Sequence, residues 1–201
     1  MDTEKYLKAK EELLAAQEGS CQQFFIENNC LLELGYYFLF HKNIDDAVKY
    51  FETLEEFEPR AKWGKFLAKL SVDKIDGYPT YFELRNFLEI DLDIMLKYYL
   101  GDYVENIVQY SDWMSNINPE VQKFIGRVFF KNGYDDWGYF YLKKGRDTFF
   151  NDPELHYLFA EYFHSKNDLV NAVLSLENCL TILPEYYPAI RMKMIISDKR
   201  I

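Results

Sequence analysis

Apolar residues along this 201-residue chain recur three and four positions apart, in blocks separated by short polar joints. Leu31, Leu34, Gly35 and Phe38 make one such stripe; Ala47, Phe51 and Leu54 make the next, closed by Pro59. The same order of small and bulky positions returns at a step of 34. Pro119-Glu120 and Pro153-Glu154 open two successive units (153 − 119 = 34), and on that step Gly126 falls on Ala160, Phe129 on Phe163, Gly138 on Ala172 and Leu142 on Leu176. A copy that begins at Asn28 sets Gly35, Phe38, Ala47 and Phe51 on the same four places. A small residue facing a bulky one lets two antiparallel helices approach closely and then stack on a copy of themselves. Val, Ile and Thr nowhere alternate with polar residues over a sustained run, so an all-α chain without strands is expected.

Capping residues punctuate the helices. Thr3 can cap a first helix to about Glu18, ended by Gly19, and Ser20 with Gln23 forms a capping box for a long helix through Phe40. Further starts are expected at Asn43-Ile44-Asp45, Thr80 with Glu83, Asp102 with Glu105, Asn167-Asp168 and Pro184-Glu185. Asn118-Pro119 and Asp152-Pro153 each set a capping side chain before a proline at the first helical position. Regular units are placed at 28–59, 119–152 and 153–184. The segment 60–118 is irregular, with helices near Ala61–Ser71, Pro79–Glu89, Leu92–Leu100 and Asp102–Ile117 and a loop at Asp76-Gly77-Tyr78-Pro79. A last helix, about 185–197, caps the stack, and the whole of 1–201 is expected to be one domain.

Composition narrows the function classes. An apolar share of 49% with 28% charged residues predicts a soluble globular chain. Its longest apolar run, Leu34 to Phe40, is far short of the roughly 20 residues of a membrane span. Residues 1–5 lack the basic-then-apolar order of a secretory leader, so a cytoplasmic location is expected. The formal charge of −10 repels phosphate backbones, and no basic patch offsets it, so no nucleic-acid partner is expected and a basic or mixed peptide is the better-matched partner. Cys21, Cys30 and Cys179 form no CxxC pair and read as small hydrophobes.

The small, aromatic, alanine and closing-proline positions of 28–59 and 119–184 resemble the tetratricopeptide repeat signature, although Leu31 and His156 stand where that family often has Trp. The resemblance implies a right-handed superhelix, a solenoid of about five helix pairs, with an extra N-terminal helix and a C-terminal cap. First helices would line a concave groove that holds a peptide or a partner helix. Carried over position by position, it puts Leu32, Tyr36 and Phe40 in the groove, then Lys123, Arg127 and Phe130, then Tyr157, Glu161 and His164. The family's carboxylate clamp needs an asparagine beside its cations, and none joins Lys123 and Arg127, which disfavours capture of a chaperone C-terminus.

Other chemistry finds little footing. Glu161-x-x-His164 is a single i, i+3 motif where a di-iron site needs two. Glu52, Glu55, Glu56 and Glu58 crowd a helix end that offers no apolar pocket to raise one carboxyl, and no GxGxxG, P-loop or HExxH pattern occurs. Neither enzyme activity nor a metal or cofactor is expected. Among seventeen Tyr and seventeen Phe, clusters such as Tyr36-Tyr37-Phe38 and Tyr139-Phe140-Tyr141 exceed one helical face. This suits packing on neighbouring units, a compositional habit of the source organism, or a tyrosine-lined groove for an apolar or sugar-like ligand. Met192, Met194, Ile195 and Ile196 give the last helix apolar residues on more than one side, and self-association there, or truncation of a longer parent, is expected. The leading functional expectation is therefore a protein–protein interaction module with Tyr36, Lys123, Arg127, Phe130, Tyr157, Glu161 and His164 as contact residues. An accessory repeat domain of a larger bacterial enzyme such as a glycosyltransferase, or a peptide-sensing regulator, remain alternatives.

Overall fold

Asp2, not Thr3, caps the first helix: its carboxylate accepts the amides of Glu4 and Lys5. The structure, a computed structural model, describes residues 2–15, 21–72 and 81–198, without the side chains of 81, 82 and 198. Among these residues every regular element is helical. The elements are α1 (Thr3–Leu14), α2 (Cys21–Glu27), α3 (Leu31–Phe40), α4 (Ile44–Glu52), α5 (Pro59–Leu70), α6 (Tyr81–Phe87), α7 (Asp93–Lys97), α8 (Gly101–Met114), α9 (Val121–Lys131), α10 (Asp135–Thr148), α11 (Pro153–Ser165), α12 (Leu169–Ile182) and α13 (Tyr187–Asp198). A π-helical turn, Leu88–Leu92, joins α6 to α7. The expected stop at Gly19, the Ser20 and Thr80 caps and the loop Asp76–Pro79 lie outside the described residues.

Further expected boundaries move, among them the start at Pro184-Glu185, which shifts to Tyr187. The long helix through Phe40 is broken at Asn28-Asn29. There Asn29 adopts φ 54°, and the Cys30 amide reaches back to the Phe25 carbonyl at 2.9 Å, a closing turn for α2. The break falls where the copy at Asn28 begins. Pro119 does not open α9; Asn118 folds a turn by accepting the Glu120 amide on its side chain, and the helix starts at Val121. Asn43, Asp152 and Asp168 cap α4, α11 and α12 as their sequences suggest.

The chain divides into two compact units, Met1–Ile107 and Val108–Ile201. Within the first, α3 packs on α4, α4 on α5, and α3 on α5; the α1–α2 pair joins α3. Phe51 explains this arrangement. Its fully buried ring lies between Gly35 and Gly64, where an added Cβ would come within 2.4 and 2.5 Å of it. In the second unit α9 packs on α10, α10 on α11, α11 on α12 and α12 on α13, with α9 also touching α11. Gly126 meets Leu142 and the Gly138 carbonyl there, the counterpart of Gly35 against Phe51. Ala160, Ala172, Leu176, Cys179, Ala189 and Ile196 continue the pattern into α13. Helices packed on their neighbours in this way suit a helical repeat. No described helix is long and apolar enough to cross a membrane.

Candidate functional site

Asp152 begins α11 and its carboxylate accepts the amides of Glu154 and Leu155. That cap starts a helix whose residues Tyr157, Glu161 and His164 share one face, at i, i+4 and i+7. Tyr187, Pro188, Arg191, Met192 and Ile195 of α13 face them across a cleft of about 670 Å³. Burial, and then the Glu161 carboxylate as charge and hydrogen-bond acceptor, push the Tyr157 hydroxyl up to about 12, so it stays a neutral donor. Tyr186 stands 5.5 Å from the Tyr157 ring and supports it from behind. Arg191 is exposed and makes neither an ion pair nor a hydrogen bond among the described residues, and the half-buried His164 ring is similarly unengaged. The cleft thus combines an apolar wall of Met192, Ile195 and Tyr187, the last 78% exposed, with an uncommitted guanidinium and imidazole.

Three of the seven expected contact residues therefore meet at one place. The other four do not. Tyr36 is an interior residue of the first unit; its hydroxyl donates to Asp91 at 2.8 Å and the Arg60 guanidinium lies 5.0 Å from its ring. Burial drives both the Tyr36 hydroxyl and the Asp91 carboxyl up, with Arg60 opposing. Lys123 is also interior, not groove-facing: its ammonium contacts Asp152 at 2.5 Å and Glu120 and Glu154 at 2.9 Å. Burial alone would lower its pKa, but these carboxylates hold it above the ordinary lysine value. Helical spacing aligns Lys123 with Arg127 and Phe130; it does not show three acids, two of them at the start of the next helix. Arg127 is partly exposed and pairs with Glu154 at 2.8 Å, and Phe130 is half-buried between Gly138 and the Tyr162 ring at 5.3 Å.

Treating the last helix only as a cap hides the α13 wall. Its signal is nonetheless present in the chain: Tyr187, Arg191, Met192 and Ile195 recur at helical spacing. Met194 and Ile195 are exposed while Ile196 is buried, so the apolar outer side expected of this helix is real in part. His156, in contrast, is buried with its Nε2 2.8 Å from the Phe150 carbonyl. Among the described residues no group of three or more His, Cys, Asp or Glu is placed to hold a metal ion. Comparison with family models, with curated proteins and with solved structures gives no match.

Proposed function

We propose that this chain is a non-catalytic, cytoplasmic interaction module of the tetratricopeptide type, a right-handed helical solenoid that holds a segment of another protein between α11 and α13. The observation that carries the reading is the cleft itself: two successive first-type helices present apolar and aromatic walls beside donors on Arg191 and His164 that no acceptor among the described residues uses. A few aromatic and aliphatic anchors supply most binding energy in such grooves, while unpaired charges set register. Arg191 and His164 select a carboxylate; Tyr187, Met192 and Ile195 select a bulky apolar side chain about one helical turn away. The fitting ligand is a peptide that sets an acidic residue on Arg191 and His164, away from the Glu161 carboxylate, beside one or two large apolar residues. It differs from the basic or mixed peptide that net charge alone suggests. Arg127 extends the contact surface only at its rim, because Glu154 already engages it.

Selection of peptides from a random display library on the purified full chain tests this. Enriched peptides are expected to combine Asp or Glu with Leu, Met or an aromatic residue, and to lose at least tenfold in affinity on Arg191→Ala with Tyr187→Ala. Both residues are exposed, so the fold should survive. Enrichment without acids, or affinity unchanged in the double variant, contradicts the reading.

A further inference from the structure

A second hollow lies on another face of α11. His156, Phe159 and Phe163 line it, about 130° around the helix from the cleft residues at 100° per residue. Arg146 at the end of α10, Phe150, and Leu174 and Asn178 of α12 complete a volume of about 240 Å³. Its chemistry differs from that of the cleft. The Phe159 and Phe163 rings lie 6.3 Å apart and 20° from parallel, forming an aromatic wall. Phe150 stands edge-on to His156 at 4.7 Å, fixed by the contact from the imidazole Nε2 to its carbonyl. Phe150 and Leu174, each 54% exposed, form apolar rims on either side.

Two partly exposed polar groups there have no hydrogen-bond partner among the described residues. Arg146 lies 5.1 Å over the Phe159 ring, within cation–π range, and its one ion pair is a long 4.0 Å contact with its neighbour Asp147. Its guanidinium donates no hydrogen bond among the described residues, and neither does the Asn178 amide. The Arg146 side chain is 37% exposed, so water meets these donors in the empty hollow and an anion can replace it. Nearby polar groups are otherwise satisfied: Ser175 donates to the Asn171 carbonyl at 2.8 Å, and the Asn171 amide donates to Asp168 at 2.6 Å.

We infer that this hollow binds a small aromatic carboxylate, its ring against Phe163, Phe150 and Leu174 and its carboxylate on Asn178 and on Arg146, which Phe159 supports from beneath. The planar guanidinium matches a carboxylate with two parallel hydrogen bonds, and stacking on Phe159 holds it ready. Volume sets the size class. Pockets for drug-sized ligands span roughly 300–1,000 Å³, and this space is smaller, so one ring with a short acid arm fills it. The site is independent of the α11–α13 cleft.

Titration of the full chain with phenylacetate, followed by amide and side-chain NH₂ resonances, tests the assignment. Saturable shifts are expected at Arg146, Phe150, Ser175 and Asn178, with a dissociation constant in the millimolar range. Phenylacetamide, isosteric but uncharged, should bind at least tenfold more weakly. Arg146→Gln should remove that discrimination, and Arg146→Lys should restore only part of it. No shift up to about 10 mM, tenfold above a millimolar dissociation constant, overturns the proposal. Equal binding of acid and amide by the unmodified chain overturns it as well, and that arm requires no variant to fold.

Discussion

The two units each bury a charged centre, and they satisfy it very differently. In Val108–Ile201, the three donors of the Lys123 ammonium meet Glu120, Asp152 and Glu154, and two of these acids belong to the start of α11. In Met1–Ile107, Asp91 on the π-helical turn receives Tyr36 and Arg60 on the same oxygen, Oδ1, at 2.8 and 3.3 Å. Its Oδ2 and the Arg60 Nε are buried without a hydrogen-bond partner among the described residues. The saturated centre sits where the 34-residue pattern is regular, the under-satisfied one where that pattern breaks down. A π turn inserts a residue into the helix and rotates the side chains beyond it, and here it brings a carboxylate into the core at the cost of unmet hydrogen bonds.

The largest expected effect comes from that contrast. Lys123→Met should destabilise the second unit by about 3–5 kcal/mol, because it leaves three acids converging on a buried apolar side chain. Asp91→Asn should cost less, about 1–3 kcal/mol, since the Tyr36 and Arg60 donors keep a carbonyl acceptor and one oxygen is already unmatched. Urea unfolding monitored by residue-resolved hydrogen exchange separates the units. A loss for Asp91→Asn equal to or above that for Lys123→Met would overturn the contrast between the two centres.

Packing gives the next effect. Gly35→Ala drives a methyl into Phe51, and Gly64 on the other side of that ring leaves it little room to move. A cost of about 1–3 kcal/mol is expected, as for other overpacked cores. The second unit carries Leu142 at the equivalent place, so Phe51→Leu should recover part of that loss. The double variant then falls short of the sum of the singles in thermal unfolding. Strict additivity would show that the two copies do not share this contact.

Acid should act on the units with opposite signs, and this is the smallest effect. Burial holds the His156 pKa below its ordinary 6.5, so the unfolded chain binds more protons there and the second unit loses stability as pH falls below 6.5. Burial raises the Asp91 carboxyl above 3.8, so its contribution is complete below that pH and is lost as pH rises through the folded value. Hydrogen exchange across pH 7 to 5 should show weaker protection in α11 and α12, and His156→Gln should abolish that slope. An unchanged slope in the variant assigns it to another group.

Much of this organisation is readable from the residues themselves. Gly35, Ala47 and Phe51 predict one helix pair; Gly126, Gly138 and Leu142 predict another, because close helix approach demands small residues at fixed spacing. Asn43, Asp152 and Asp168 announce their helices through local capping. The break at Asn28-Asn29 is also local, a left-handed turn that Asn tolerates well. The fates of Tyr36 and Lys123 are not local. Each belongs to a helical face that could line a groove, and only distant residues, Asp91 in one case and Asp152 with Glu154 in the other, turn that face inward. Arg191 is illegible for the converse reason: its meaning depends on α11, more than 25 residues earlier.

The most direct measurement is a resonance-shift map of the full chain with a library-selected acidic, apolar peptide bound. The account predicts that the largest shifts fall at Tyr157, Glu161, His164, Arg191 and Ile195, and that they vanish in Arg191→Ala with Tyr187→Ala. Shifts centred on α9, on the first unit or on α10 would place the partner elsewhere and contradict the assignment of the α11–α13 cleft.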